Sequence, residues 1–365
     1  IESTMKSINE AIEKAELIAG LEVTSCFTTI GGAQIESLIS KGLVPISTKS
    51  RTSREINRED IERVIEASRA ISIPLDRQIL HIVPRTYIVD GQGGIKNPLN
   101  MLGIRLEAEV CIITSSVTST QNVLRCIARA GYTVDGVFLK TLVAADLIIT
   151  DEEQELGSIF IDLGGGTTDV LIVAEGAALC AISVPVGGQL ITNDISLVRG
   201  ISFDTAEKIK LQHGCCWEPL IDEDETVIIP GIGGNAPQEI YRTEICQIIQ
   251  PRVEEIFDLI REKLPQQVRR MQLNGSIILA GAGALLPGIA ELAAKEFKTD
   301  NVRIAIPSNY GGASDAYRSP EFATAVGVLV EGYNQQKTKK VSGNRHEKNN
   351  KRVLTGMVQW FKEFF

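Results

Sequence analysis

The chain has 365 residues, 44% of them hydrophobic and 23% charged, with 32 glycines and a formal net charge of −9. This length exceeds what one hydrophobic core usually serves, and the apolar content is too high for a disordered chain, so we expect two or more packed domains. The last 32 residues carry a charge of +6 and the others −15, and so acidic a body disfavours nucleic acid as a partner.

The start of the chain and its cysteines indicate the compartment. Residues 1–20 alternate charged and apolar side chains, unlike a secretory signal, and no apolar run is long enough to cross a bilayer. The seven cysteines include the adjacent pair Cys215 and Cys216 but no Cys-x-x-Cys, which favours reduced, buried thiols over disulfides or a zinc site. We therefore expect a cytosolic protein in which any metal is a hard ion held by oxygen.

The first half of the chain alternates helical and strand patterns. Apolar spacing predicts a helix from Ser3 to Leu21 and a strand from Val23 to Ile30. The patterns that follow are a helix over 58–70, strands over 78–89 and 109–114, and a helix over 118–130 that ends at Gly131. This alternation between residues 43 and 132 indicates a compact α+β insert.

The second half has a stronger strand signal. Its predicted elements are a strand over 134–139, a short helix from Thr141, an exposed loop over 150–156, strands within 158–174, helices over 203–213 and 239–264 separated by a break at 230–237, a strand over 276–280 and a helix over 287–297. Residues 334–350 contain one aliphatic side chain, Val341, so we expect a flexible linker there.

The most specific motif is an apolar strand that runs into three glycines and leaves as a second strand, over residues 159–173. We call it the glycine hairpin. Without Cβ atoms, Gly164, Gly165 and Gly166 let backbone N–H groups approach phosphate oxygens closely. Thr167 and Thr168 can add hydroxyl donors. Asp162 at the strand end is suited to hold Mg²⁺ through water.

This hairpin resembles the phosphate-binding hairpin of the actin-like ATPase superfamily, and three further segments are similar to motifs of that superfamily. The resemblance implies an ATP site with Mg²⁺ in a cleft between two duplicated, ribonuclease H-like α/β domains. The implied nucleotide-binding residues outside the hairpin are the Gly-Gly turn Gly187 and Gly188, whose helix start offers free N–H groups, the ribose and adenine clamp Glu207 and Lys210, and the adenosine motif Gly281, Ala282 and Gly283.

Within the insert, residues 95–108 are similar to a segment peculiar to the FtsA family of bacterial cell-division proteins. The resemblance implies a protein that binds the C-terminal tail of FtsZ, assembles into filaments of itself and recruits later division proteins through the insert. It places the FtsZ site on the helix around 241–261, where Arg242 and Arg252 suit an acidic peptide.

The last fifteen residues form an amphipathic pattern that predicts a membrane-binding helix. Four of the chain's 18 aromatic residues lie here, after the predicted linker. The predicted membrane residues are Val353, Leu354, Met357, Val358, Trp360, Phe361, Phe364 and Phe365 on the apolar face, with the basic Lys351 and Arg352. One such helix should bind an anionic leaflet reversibly, and filaments would multiply the attachment. A helix folded back on the body is the alternative.

Two departures from the superfamily bear on catalysis. The first phosphate motif, of the Asp-x-Gly-Thr kind, does not precede Ile1 and position 1 is not Met, so we expect a fragment or a misassigned start. The residues after strand 134–139, from Lys140 to Ala145, include no carboxylate, and Asp146 lies a turn farther on. We therefore expect at most a slow ATPase.

Together these inferences predict an actin-like α/β protein at the cytoplasmic face of the bacterial plasma membrane, at the division site. The predicted domains are 1A (1–42 and 133–157), the insert 1C (43–132), 2A (158–200 and 270–333), 2B (201–269), the linker (334–350) and the terminal helix (351–365). Three alternatives remain: a sugar or acetate kinase of the same fold, a chaperone ATPase, for which the 32 residues after the body are too few to form a peptide-binding domain, and a pilus-assembly relative.

Overall fold

The computed structural model describes residues 1–46, 53–231, 236–271, 273–307 and 317–343, with side chains except those of 267, 270 and 338–343. The helices are α1 (Glu2–Ala19), α2 (Arg58–Ser68), α3 (Val117–Arg129), α4 (Lys140–Ile148), α5 (Asp151–Leu156), α6 (Gly188–Arg199), α7 (Phe203–His213), α8 (Arg242–Lys263), α9 (Gln266–Arg270), α10 (Ile289–Phe297) and α11 (Ala323–Gly343). The strands are β1 (Ser25–Ile30), β2 (Glu36–Pro45), β3 (Arg54–Glu55), β4 (Arg77–Val89), β5 (Gln92–Ile95), β6 (Leu102–Gly103), β7 (Arg105–Ser116), β8 (Thr133–Leu139), β9 (Ser158–Leu163), β10 (Thr168–Ala174), β11 (Ala177–Val184), β12 (Thr226–Ile229), β13 (Gln238–Tyr241), β14 (Ile277–Ala280) and β15 (Val302–Ile304).

The second half of the chain is organised on a five-stranded sheet in the order β11-β10-β9-β14-β15. The glycine hairpin joins the antiparallel pair β9 and β10, whereas β14 runs parallel to β9 and to β15. All residues of β9, β10 and β14 are buried, which explains their continuous apolar sequence. One face packs against α6, α7, α8 and α10, and the other packs against α4, α11 and the first half of the chain.

The insert contains an antiparallel sheet in the order β2-β7-β4-β5, with α2 packed on one face. This sheet starts at Glu36, so it extends across the boundary predicted at residue 43. At its edge, the hydroxyl of Ser37 donates to the carbonyl of Ala181 at 3.0 Å and accepts from the N–H of Ala181 at 2.9 Å. This pair of hydrogen bonds ties the insert sheet to β11 of the large sheet.

The strands β1 and β8 form a parallel pair, with Ile30 opposite Leu139 at their carboxyl ends. The chain leaves β1 through Gly31 and Gly32 and leaves β8 directly into Lys140, the first residue of α4. The carboxyl ends of parallel strands lie at the same edge of a sheet, so Gly31, Gly32 and Lys140 lie close together. Gly32 and Lys140 both contact Asp169 at the base of the glycine hairpin.

Two predicted segments have a different structure. The exposed loop predicted over 150–156 is helix α5, because Thr150 and Glu153 form a reciprocal capping box: the Glu153 N–H donates to the Thr150 hydroxyl and the Thr150 N–H donates to the Glu153 carboxylate. The helix predicted from residue 239 begins at Arg242, because the preceding residues pair as β13 with β12.

Helix α11 continues to Gly343, through the first ten residues of the predicted linker. The linker prediction was wrong for this part. Glutamine and lysine are good helix formers, and they extend a helix that begins in the core at Ala323. Residues 344–350 of the linker and the predicted membrane helix 351–365 lie outside the described residues. Over the part that is described, no helix combines the length and apolar character needed to cross a membrane.

Candidate functional site

The glycine hairpin has the geometry predicted from its sequence. Leu163 pairs with Thr168 across the two strands, and the N–H of Gly164 donates to the carbonyl of Thr167 at 3.0 Å to close the turn. Gly165 and Gly166 form the tip, and neither has a φ in the left-handed region. The tip is therefore a backbone surface at the end of two buried strands.

Contacts with the described residues do not require glycine at the tip. A Cβ atom at Gly165 would lie 3.9 Å from Gln189, and one at Gly166 would lie 3.8 Å from the same side chain, both ordinary van der Waals contacts. A Cβ at Gly164, by contrast, would lie 2.8 Å from the carbonyl oxygen of Thr167. Within the described residues, neither crowding nor a positive φ requires glycine at these two tip positions.

The Gly-Gly turn lies under this tip. A Cβ on Gly187 would sit 2.5 Å from the carbonyl oxygen of Gly164, so glycine is needed for close packing here. The N–H groups of Gly188 and Gln189 donate to the carbonyls of Gly164 and Gly165 at 2.9 and 2.8 Å. The expectation of free N–H groups at this helix start was therefore wrong for these two residues. They are used to hold the hairpin on α6.

The two threonines of the hairpin also bond within the protein. The hydroxyl of Thr168 is buried and donates to the Val186 carbonyl at 2.8 Å, and that of Thr167 donates to the Asp169 carboxylate at 2.9 Å. Each hydroxyl has one proton to donate, so the expectation of extra donors for a ligand is not met in this arrangement. The threonines fix the shape of the turn instead.

A carboxylate pair lies at the base of the hairpin, with Asp162 and Asp169 opposite each other on β9 and β10. The ammonium of Lys140 bridges them, at 3.3 Å from Asp162 Oδ2 and 2.5 Å from Asp169 Oδ2. The N–H of Gly32 donates to Asp169 Oδ1 at 2.6 Å, and the Thr324 hydroxyl donates to Asp162 Oδ2 at 3.3 Å. Both carboxylates are thus embedded in contacts from the first half of the chain and from α11.

Burial works against the charge of Lys140 by lowering its pKa, but the carboxylates of Asp162 and Asp169 outweigh burial and raise the pKa above its ordinary value. Lys140 is therefore charged at neutral pH. Lys140 and Asp169 are the site residues that sequence reasoning missed. Asp169 stood within the quoted motif without an assigned role, and Lys140 was considered only for the absence of a carboxylate near it.

The predicted clamp residues Glu207 and Lys210 share one face of α7 and contact the start of α6. The ammonium of Lys210 lies 2.8 Å from Glu207 Oε2, and it donates to Thr192 Oγ1 at 2.8 Å and to the Gly188 carbonyl at 3.0 Å. Partial burial raises the pKa of Glu207, but Lys210 and the Thr192 hydroxyl lower it further, for a net decrease. This network positions α7 against the Gly-Gly turn.

The adenosine motif follows β14 and packs against β9. Gly281 has φ 79°, and a Cβ there would lie 2.4 Å from Asp162 Oδ1; a Cβ on Gly283 would lie 2.7 Å from the Cβ of Leu163. Ala282 begins a short 3₁₀ turn, Ala282–Leu285. Packing against β9 thus explains why the motif has glycine at these two positions.

The structure brings the predicted nucleotide residues together around the hairpin, and the donor set at Asp162 suits a hard cation. Carboxylate oxygens of Asp162 and Asp169 converge on one ammonium, and oxygen ligands are those that Mg²⁺ prefers. The described residues hold no cluster of three or more His, Cys, Asp or Glu side chains arranged to bind a metal. Any Mg²⁺ here would keep most of its water, as a nucleotide-bound ion does.

The predicted partner residues Arg242 and Arg252 already have acidic neighbours. Arg252 makes a two-pronged contact with Asp194, at 2.6 and 3.0 Å, and also pairs with Glu255. Arg242 lies 2.6 Å from Glu225 Oε2 and donates to the His213 carbonyl at 2.9 Å. An acidic peptide would have to displace or bridge these carboxylates.

Comparison with known proteins gives a consistent set of similarities. The family model described as "Cell division protein FtsA" matches residues 159–327, and the model described as "SHS2 domain inserted in FTSA" matches residues 32–114. The chain is 41% identical over 370 residues to the cell division protein FtsA of Borreliella burgdorferi, covering 100% of this chain and 88% of that protein. It is 35% identical over 329 residues to FtsA of Bacillus subtilis, covering 90% and 72%.

Among solved structures, the PilM-PilN type IV pilus biogenesis complex superposes with a TM-score of 0.60 at 17% identity, covering 90% of this chain and 84% of that chain. At this identity the likeness concerns the fold alone. Together with the insert match, it agrees with the predicted fold class, an actin-like α/β protein that carries the FtsA-type insert.

Proposed function

The chain belongs to the FtsA family of cell division proteins, and from this premise we propose that it binds ATP with Mg²⁺ at the glycine hairpin and links FtsZ filaments to the cytoplasmic face of the bacterial plasma membrane. ATP acts mainly as a structural and switching ligand with slow turnover. The insert recruits later division proteins, and filaments of the protein multiply its weak attachments to the membrane.

The observation that carries the nucleotide site is the pair of tip glycines. Their Cβ positions are open, so a substituent would meet only Gln189 at 3.8 Å or more. A phosphate that approaches the bare backbone at Gly165 and Gly166 uses this opening, since backbone N–H groups are efficient phosphate donors when no side chain stands before them. Triphosphate bound there would lie next to Asp162.

Residues of this chain hold the other parts of the ligand in the proposal. Lys210 and Glu207 lie beside the Gly-Gly turn, where they can contact ribose hydroxyls and the adenine edge. The turn after Gly281 packs against Asp162 and Leu163 of β9. Bound Mg²⁺ neutralises phosphate charge. Slow turnover is consistent with α4, whose first turn supplies Lys140 rather than a carboxylate that could position an attacking water.

Membrane attachment is assigned to residues 351–365. Partial burial of eight apolar side chains contributes roughly 6 to 12 kcal/mol before ordering costs, and each basic residue near an anionic leaflet adds about 1 kcal/mol. Ordering the segment costs about 1 to 2 kcal/mol per residue in backbone entropy, offset in part by helical hydrogen bonds. Single copies should therefore bind reversibly.

A role in pilus assembly is the less favoured alternative. A relative named FtsA is 41% identical to this chain, whereas the PilM-PilN likeness is 17% identical and concerns the fold. A kinase would need a carboxylate base in a substrate cleft, and the position after β8 holds Lys140 instead.

Co-sedimentation tests the proposed tether. FtsZ polymers are pelleted with anionic vesicles in the presence of ATP and either the intact chain or a chain ending at Asn350. With the intact chain we expect FtsZ in the vesicle-bound fraction. With the shortened chain we expect FtsZ only in polymers that are not bound to vesicles. Equal recovery of vesicle-bound FtsZ with both chains would exclude the terminal segment as the anchor.

A further inference from the structure

Lys140 reaches the carboxylate pair from the opposite half of the molecule. It is the first residue of α4, directly after β8, whereas Asp162 and Asp169 lie on the large sheet. Its side chain runs along the backbone of Gly31, where a Cβ atom would lie 2.6 Å from Lys140 Cδ and Cε. Because residue 31 is glycine, the Lys140 side chain has room to extend past it to the carboxylates.

The ammonium lies between oxygens of the two carboxylates, which are ligands of the kind that Mg²⁺ prefers. It is within 3.3 Å of one oxygen from each carboxylate and 3.9 Å from the Cβ position of Gly164 at the hairpin. The side chains of Asp162, Asp169 and Lys140 are 10%, 4% and 19% exposed, so water screens the three charges poorly. No other lysine or arginine of the described residues forms an ion pair with either carboxylate.

We propose that Lys140 is a built-in substitute for the divalent cation, holding the Asp162–Asp169 pair and thereby making nucleotide binding largely independent of Mg²⁺. The inference rests on the proposed nucleotide site. Two carboxylates without a cation would repel a triphosphate at the hairpin. The Lys140 ammonium neutralises one of the two negative charges and links the first half of the chain to the hairpin. Mg²⁺ then associates with the phosphates alone.

The first test uses the metal without nucleotide. The Tm of the intact chain is measured in EDTA and in millimolar MgCl₂ for the wild type, Lys140→Met, Lys140→Arg and Lys210→Met. We expect no effect of Mg²⁺ on the wild type or on Lys140→Arg. Lys140→Met should melt about 3 to 6 °C lower in EDTA and regain at least half of that loss in Mg²⁺, because the ion enters the vacated position.

Lys210→Met is the matched control, since it also removes a partly buried lysine from a carboxylate but leaves the aspartate pair intact. It should lose stability that Mg²⁺ does not restore. If Mg²⁺ stabilises the wild type as much as Lys140→Met, or restores nothing in Lys140→Met, the lysine is only a link between the two halves and the proposal is wrong.

The second test measures the affinity of a fluorescent ATP analogue in Mg²⁺ and in EDTA. The wild-type Kd should change by less than about threefold, and that of Lys140→Met should weaken by at least about tenfold in EDTA and recover in Mg²⁺. The wild-type result decides even if Lys140→Met does not fold, because a strict Mg²⁺ requirement contradicts the proposal. If the wild type binds no nucleotide in either buffer, the proposed function fails, and the melting experiment still decides the role of Lys140.

Discussion

The glycines around the hairpin serve two different purposes, which only the structure separates. Gly187 and Gly281 are required by close packing, since a Cβ atom at either would come within 2.5 Å of an oxygen of β9 or the hairpin. The tip residues Gly165 and Gly166 are free of such contacts. Sequence alone marks all four as glycines that admit a backbone approach. It does not indicate whether the approaching group is the protein or a ligand.

Alanine at these positions should therefore have opposite effects on binding and stability. We expect Gly166→Ala to keep the Tm within about 1 °C of the wild type and to weaken ATP binding about tenfold or more, because the methyl group stands where phosphate approaches. Gly187→Ala should lower the Tm instead. Thermal melting and titration with a fluorescent ATP analogue measure both quantities. Unchanged affinity in a folded Gly166→Ala protein would contradict the phosphate site.

The ion pairs of Arg252 lead to a prediction about the partner site. Removing the guanidinium by Arg252→Ala should weaken binding of the acidic FtsZ tail, whereas Asp194→Asn should strengthen it, because the arginine then loses a competing carboxylate. Arg261→Ala, which removes another paired arginine of α8, serves as the control. Fluorescence anisotropy of a labelled tail peptide measures the three affinities. Equal affinity for all variants would place the site elsewhere.

At the level of elements, periodicity predicted many of the helices and strands of the core, because their buried faces impose a repeat on the sequence. Strands β2 and β11 were not predicted, although both have residues in the core. The predicted helix over 203–213 and strand over 134–139 match α7 and β8 closely. Two of the elements that differ from the prediction, α5 and β13, depend on other forces. Helix α5 has no buried residue, and capping by Thr150 and Glu153 defines it instead. Strand β13 is short and mostly exposed, and its hydrogen bonds to β12 stabilise it.

The capping box of α5 should be measurable by substitution. Thr150→Ala removes the acceptor for the Glu153 N–H and should destabilise the helix by about 1 kcal/mol, whereas Thr150→Ser keeps the hydroxyl and most of the stability. Arg303 holds Glu153 from β15 at 2.7 Å, so the helix end should remain docked in both variants. Hydrogen exchange of the α5 amides reports the local change. Equal protection in both variants would show that the cap contributes nothing.

At the scale of the whole molecule, the sequence predicted which motifs belong to the site but not how the two halves meet there. The hairpin and the Gly-Gly turn are local patterns in one half of the chain. The Lys140 contact joins residues from different sheets and depends on the relative placement of β8 and the hairpin. Local propensity carries no information about such placement. The sequence therefore showed that residues 140–145 include no carboxylate, but it did not predict the contact of Lys140 with the two aspartates.

An open cavity of about 1410 Å³ lies between the two halves, with Asp146 of α4 and Glu331 of α11 in its wall. Loss of hydration beside the surrounding protein raises the pKa of Asp146, and the negative charge of Glu331 raises it further, to about 6. The other charged groups in the wall are Glu62, Glu66 and Asp135, opposed by Arg63 and Arg69. Both effects favour the neutral form of Asp146 relative to its balance in the unfolded chain.

This raised pKa predicts a stability that decreases as the pH rises. The folded state binds the Asp146 proton more tightly than the unfolded state, so the stabilisation is complete below the ordinary carboxyl pKa and is lost as the pH passes about 6. Asp146→Asn removes the charge that is unfavourable above that pH. Because the carboxyl faces an open cavity, we expect a modest Tm gain of about 1 to 3 °C near pH 7.5 that shrinks towards about pH 5.

Glu331→Gln should give a smaller Tm gain with the same pH dependence, since it removes only the second cause of the raised Asp146 pKa. Melting curves across this range test both variants, and a gain that is equal at both pH values would mean that Asp146 does not titrate there.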